Sequence, residues 1–180
     1  RGSKVILNDR QILELVKSHK LIDPFSELQL NSFGYDLMLS KEFRVPQYNY
    51  LQSTIIDPLA IEESIYREYQ GDYCIIPPNS FLLGRSVEWI SMPTDLTGIC
   101  LGRSSYARCG IIVNITPLEA GWRGQVTIEI SNTNQLPAKV YANKGITQVI
   151  FLVGDIPSRD YSSKGGRYQN QVGITLPRGL

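Results

Sequence analysis

Apolar positions along this chain follow two rhythms. Ile12, Leu13, Leu15 and Val16 recur at helical spacing on one face. Asn8, with Gln11 three residues on, is a helix-start signal, so a short helix is predicted from there to about His19. From Gly34 onward, short runs rich in Val, Ile, Tyr and Thr are broken by Pro, Gly and Asn, which is the rhythm of a sandwich or barrel. The predicted strands are 35–39, 43–45, 73–76, 81–89, 96–101, 111–115, 125–131, 138–141 and 147–153. Pro77-Pro78-Asn79, Met92-Pro93, Gly121, Gly124 and Asn143-Lys144-Gly145 punctuate them. Residues 61–69 read as a second short helix or a loop.

After Asp155 the periodicity stops, and Pro157, Ser158, Ser162, Ser163, Gly165 and Gly166 predict a mobile tail over 156–180. Tyr161, Arg167, Tyr168, Gln169 and Gln171 give it more rings and hydrogen-bonding groups than a frayed end needs. The 180 residues, 42% apolar, fit one domain with one core. Arg1-Gly2-Ser3 reads as a cloning remnant and is left out of the fold.

Charge narrows the partners. The net charge is +1 and the 18 basic residues are scattered, which argues against a long nucleic acid or an anionic membrane and leaves room for a small anion. Apolar runs such as Val149–Val153 fall far short of the roughly 20 residues of a membrane span, and no signal-peptide pattern opens the chain, so a cytoplasmic protein is expected. Cys74, Cys100 and Cys109 have no metal-site spacing and are expected as small core residues in a reducing compartment.

Two segments carry candidate chemistry. Gly102 to Gly110 holds Arg103, Ser104, Ser105 and Arg108, whose guanidinium forks and hydroxyls match phosphate oxygens; a hydrated turn would look the same. In the run 125–131, Val126, Ile128 and Ile130 alternate with Thr127, Glu129 and Ser131, which places Glu129 on the polar face. The strand by itself leaves open whether that face meets solvent or lines a pocket. Together the segments suit a nucleoside triphosphate beside an activated water. With one histidine, His19, and no Cys-x-x-Cys pair, the zinc-dependent nucleobase deaminase signature is missing, and a Ser-His-Asp or Cys-His site has a single candidate histidine.

Three stretches carry a family resemblance: Gly102-Arg103-Ser104-Ser105-x-Ala107-Arg108-x-Gly110; Gly121-Trp122-x-Gly124 followed by Thr127-x-Glu129-Ile130-x-Asn132; and Tyr161 with Arg167-Tyr168-Gln169-Asn170-Gln171-Val172-Gly173. Asp9-Arg10-x-Ile12-Leu13, Leu21-Ile22-Asp23-Pro24 and Ser32-Phe33-Gly34-Tyr35-Asp36-Leu37 extend it over nearly the whole chain. In these residues the chain resembles the dCTP deaminases of the dUTPase superfamily. The resemblance implies a mostly β fold, a distorted β-barrel of the dUTPase-like type with a short N-terminal helix and a flexible C-terminal tail, in one domain over 1–180. It further implies a cytoplasmic homotrimer with sites near subunit interfaces, no zinc or other protein-bound metal, and Mg²⁺ carried by the substrate triphosphate. The implied reaction converts dCTP to dUTP and ammonia, supplying dUTP for dUMP and dTTP synthesis, with dTTP as a candidate inhibitor.

Carried over by position, Glu129 matches the acid–base carboxylate, and Ser104 and Arg108 match groups that position water and stabilise charge. Arg103, Ser104, Ser105, Tyr106, Ala107 and Arg108 match the segment lining the triphosphate and active site. Thr127 and Ile128 match the strand edge that reads the base, and Gln148, Tyr161, Arg167 and Gln171 match further nucleotide contacts. Trp122 stands where dUTPases usually carry a tyrosine under the deoxyribose. Asn114 replaces the histidine of some deaminases, and Glu119 stands nearest the water-orienting Asp of dUTPases, in a shortened loop. These departures favour deamination alone over a bifunctional deaminase-diphosphatase that yields dUMP and pyrophosphate. A non-catalytic nucleotide-binding protein would be marked by loss of Glu129, Arg103 or Arg108, all of which are present.

Overall fold

The computed structural model describes residues 5–47 and 55–179; Arg1-Gly2-Ser3 and the last tail residue, Leu180, lie outside them. Helix α1 spans Asp9–His19. Asn8 caps it: its side chain accepts the Gln11 N–H, and the Gln11 side chain accepts the Asn8 N–H in return. Ile12 at the centre of the apolar face is fully buried. Lys20, in the left-handed region at φ 52°, ends the helix.

The rest is β. Strands β1 (Ile22–Asp23), β4 (Glu42–Pro46), β5 (Tyr66–Gln70), β7 (Phe81–Ser91), β9 (Ile111–Asn114) and β10 (Arg123–Asn132) form one sheet, ordered β5-β4-β7-β10-β9 with β1 also on β7. Strands β2 (Leu30–Asn31), β3 (Gly34–Met38), β12 (Gly145–Val153) and β8 (Leu96–Gly102) form a second sheet in that order. Strands β6 (Tyr73–Ile76) and β11 (Ala138–Tyr141) form a two-stranded ribbon. The expected barrel is corrected in one respect: these ladders form three sheets and do not close on themselves, while the mostly β class holds.

Burial follows the alternation. Along β10, Gly124, Val126, Ile128, Ile130 and Asn132 are buried and the residues between them are not. Val126, Ile128, Leu82, Leu37, Val149 and Phe151 belong to one apolar core. Residues 61–69 prove to be a three-residue 3₁₀ turn, Glu63–Ile65, leading into edge strand β5. Arg67, Glu68 and Tyr69 of β5 are exposed, so no apolar alternation announced it. Cysteines are corrected too: Cys74 is a core residue, Cys100 is half-buried with its thiol pushed up to about 12 by burial, and Cys109 is exposed. No helix of the described residues is long and apolar enough to cross a membrane.

Candidate active site

Strand β10 carries Glu129 between Leu83 of β7 and Asn114 of β9, its cross-strand partners. Its polar face opens into a cavity of about 570 Å³, whose walls include Glu129, Thr127, Trp122, Tyr161, Gln171 and Glu119 together with the apolar Phe81, Leu83 and Leu118. Burial among these groups pushes the Glu129 carboxyl up to about 7, with its own backbone N–H pulling the other way. A carboxyl so placed exchanges protons near neutrality, as a group acting first as base and then as acid must.

The ladder to β9 begins only at Glu129, so Thr127 and Ile128 form a strand edge on that side. The Ile128 side chain is fully buried in the core, which leaves its backbone as the part that could meet a base. The tail takes up the same edge further back. Gly124 and Gln171 form a parallel bridge, Gln125 N–H donates to the Gln171 carbonyl at 3.0 Å, and the Gln171 amide donates to the Gln125 carbonyl at 2.5 Å. Gly173 N–H reaches Gln125 Oε1 at 2.8 Å and Thr175 N–H reaches Thr127 Oγ1 at 3.1 Å. Trp122, buried beneath, donates its indole N–H to the Tyr168 carbonyl at 2.9 Å, and Tyr168 N–H donates to the Tyr161 hydroxyl at 2.9 Å. Residues 168–175 of the aperiodic tail are thus hydrogen-bonded along β10 and the turn before it.

The arginine segment lies elsewhere. Helix α2, Ser104–Ala107, follows β8, and Gly110 closes the turn at φ +67°. A Cβ there would meet the Asn134 side chain at 2.9 Å, the same side chain that donates to the Cys109 carbonyl at 2.7 Å. Arg103 is held by Asp36 at 3.1 Å and donates to the Gly145 carbonyl at 3.2 Å. With Ser105, Tyr106, Lys139, Tyr141 and Lys144 it lines a second cavity of about 550 Å³.

Within one chain, therefore, Glu129, Thr127, Tyr161 and Gln171 meet, while Arg103, Ser105 and Tyr106 gather around the other cavity. Ser104, Ala107 and Arg108 are exposed and line neither. Gln148 on β12 stands opposite Asp36 and Leu101 and donates to the Phe33 carbonyl at 3.4 Å. Arg167 is exposed and donates to the Gly179 carbonyl at 2.8 Å. Among the described residues no group of three or more His, Cys, Asp or Glu side chains could hold a metal ion.

Sequence reasoning missed three charged groups. Asp36 anchors Arg103, Lys164 forms an ion pair with Glu119, and Glu88 lies fully buried in β7. Glu88 was detectable, since it falls in phase with Leu82 and Ile90, both buried. The two partner residues had no local signal, because their counterparts lie far off in sequence.

Comparison with known proteins identifies the family. The sequence profile of the dCTP deaminase-like family matches residues 6–153. A dCTP deaminase of Wolinella succinogenes is 49% identical over 180 aligned residues, covering 94% of this chain and 96% of the relative. A dCTP deaminase of Paraburkholderia xenovorans is 45% identical, with 96% and 98% covered. The crystal structure of 2'-deoxycytidine 5'-triphosphate deaminase from Agrobacterium tumefaciens superposes with a TM-score of 0.67 at 18% identity, a likeness of fold. The match covers 85% of this chain and 49% of that longer one. This chain belongs to the dCTP deaminase-like family.

Proposed function

We propose that the protein hydrolyses the exocyclic amine of dCTP, giving dUTP and ammonia. The observation that carries this reading is the Glu129 carboxyl, pushed up to about 7 and facing a cavity of about 570 Å³ beneath the tail, in a chain of this family. In the charged form Glu129 takes a proton from water as the water oxygen bonds to C4 of cytosine. One water proton ends on ring N3 and the other leaves with the amine as ammonia when the C4–N4 bond breaks. Glu129 relays these protons, so no separate acid is needed.

Ser104 and Arg108 come from a neighbouring copy of the chain in this reading. Their exposure on α2 and just after it, outside the Glu129 cavity, supports a shared site, as do the exposed apolar side chains Ile99 and Leu101 of β8 and Ile112 of β9. A homotrimer then places the arginines of one copy at the triphosphate of the next, with Mg²⁺ arriving on the phosphates and keeping most of its waters. Gln171, Tyr161 and Arg167 act from the tail, which opens to admit nucleotide and closes to exclude water. Free cysteines fit a cytoplasmic setting, where dUTP feeds dUMP and dTTP synthesis and dTTP is the natural candidate for an inhibitor.

Glu119 bears on the bifunctional alternative. Its carboxylate is ion-paired to Lys164, so its charge is already balanced within the chain, which favours deamination alone. Incubation with dCTP and Mg²⁺ followed by product separation tests the choice: dUTP with ammonia is expected, and dUMP with pyrophosphate would overturn it.

A further inference from the structure

Strands β7 and β10 fall out of step just before the catalytic carboxyl. Gln125 stands opposite Trp89, but Thr127 stands opposite Arg85, so Ser86, Val87 and Glu88 together face the single residue Val126. Such bulges bend a strand and re-aim the side chains beyond them. Ser86 and Glu88 are both fully buried. The Ser86 hydroxyl accepts the Val126 N–H at 2.8 Å and donates to the Glu88 carbonyl at 2.6 Å, supplying the acceptor that Val126 would otherwise find across a regular ladder. The Glu88 carboxylate accepts the Met38 N–H at 3.0 Å and the Tyr35 hydroxyl at 3.3 Å, and Leu39 bridges to Ser86. The bulge is thereby fastened to β3 and its continuation.

Its place along β10 gives this fastening a consequence. On one side of Val126, Gln125 holds the tail through Gln171 and Gly173. On the other side, Thr127 and Glu129 line the cavity. The part of β10 that grips the tail and the part that bears the carboxyl therefore adjoin at Val126, whose N–H is held by Ser86 of the bulged strand β7. Ser86 itself does not line the cavity.

We propose that Ser86 is a positioning residue for the deamination: by holding Val126 it aims Glu129 at a nucleotide gripped under the tail. The inference rests on the function proposed above and adds to it a residue that never touches the substrate. The test compares wild type, Ser86→Ala and Ser86→Thr by steady-state ammonia release from dCTP, with circular dichroism and thermal melting as controls on folding. Ser86→Ala should lose about ten- to a hundredfold in kcat with KM changed less than about threefold, because near-ångström misplacement of a reacting group costs rate on that scale. The midpoint of the acid limb of its kcat–pH profile should move as well, and Ser86→Thr, which keeps the hydroxyl, should regain most of kcat. A folded Ser86→Ala with a lower melting temperature but unchanged kcat and pH profile would overturn the proposal. If Ser86→Ala does not accumulate folded, Ser86→Cys carries the same two outcomes. Wild type that releases no ammonia would refute the function itself, a result distinct from a variant that behaves like active wild type.

Discussion

Glu88 provides a stability prediction whose size follows from its surroundings. The side chain is fully buried, and burial pushes its carboxyl from 4.5 up to about 7, although the Met38 amide and the Tyr35 hydroxyl pull the other way. Because the folded value lies above the unfolded one, the folded state holds its proton more tightly. Stability from this group is thus full below about pH 4.5 and is lost as pH rises through about 7. At about 1.36 kcal/mol per pH unit the full loss is roughly 3 kcal/mol, of which roughly 2–3 falls between pH 5 and pH 9. Glu88→Gln keeps the shape and an acceptor for Met38 but cannot ionise. Its stability relative to wild type should therefore rise by roughly 2–3 kcal/mol from pH 5 to pH 9, or about 4–12 °C in Tm for a chain of this size. Thermal melts of both proteins at the two pH values and one fixed concentration measure this difference, free of any pH-independent cost of the substitution. Parallel loss of stability in the two proteins would refute the reasoning.

Other outcomes follow from the same geometry. Wild-type kcat/KM should rise from the acid side with a midpoint near pH 7, because Glu129, pushed up to about 7, must lose its proton to act as base; a midpoint near 4.5 would show that the active carboxyl is not buried. Gln171→Ala removes the amide that ties the tail to Gln125, so KM for dCTP should rise about tenfold with little change in Tm, and an unchanged KM would remove the tail from substrate binding. Arg108→Ala and Glu129→Gln should each be inactive alone, yet co-refolded mixtures should recover part of the activity, since under the proposed sharing of sites between copies a mixed oligomer contains some intact ones. Failure to recover in mixtures shown to be mixed oligomers would place both residues in one chain's site.

Much of this molecule was readable before any coordinates. The capping pair Asn8 and Gln11 located α1, and strict alternation along 125–131 placed Glu129 opposite a buried face. What alternation could not tell was whether the polar face met water, because the answer depends on Leu83, Tyr161 and Gln171, brought in from other parts of the chain. Strand β5 escaped because an exposed edge needs no apolar face, and the bulge at Ser86 escaped because register belongs to a pair of strands. Periodicity also said nothing of where the tail lies, because its contacts with Gln125, Thr127 and Gly121 are hydrogen bonds rather than an apolar face. That Arg108 lies outside the cavity of Glu129 in one chain had no signal in alternation or spacing, since it depends on where the turn after β8 and strand β10 come to lie in the fold.

The central claim is that Glu129 carries out proton transfer in a dCTP deaminase reaction. Glu129→Gln preserves the size of the side chain and removes its basicity, so it should bind dCTP with an affinity within about threefold of wild type while ammonia release falls by a factor of about 10² or more. Calorimetric binding and enzymatic ammonia detection on the same preparation measure both. Ammonia release near the wild-type rate would contradict the account.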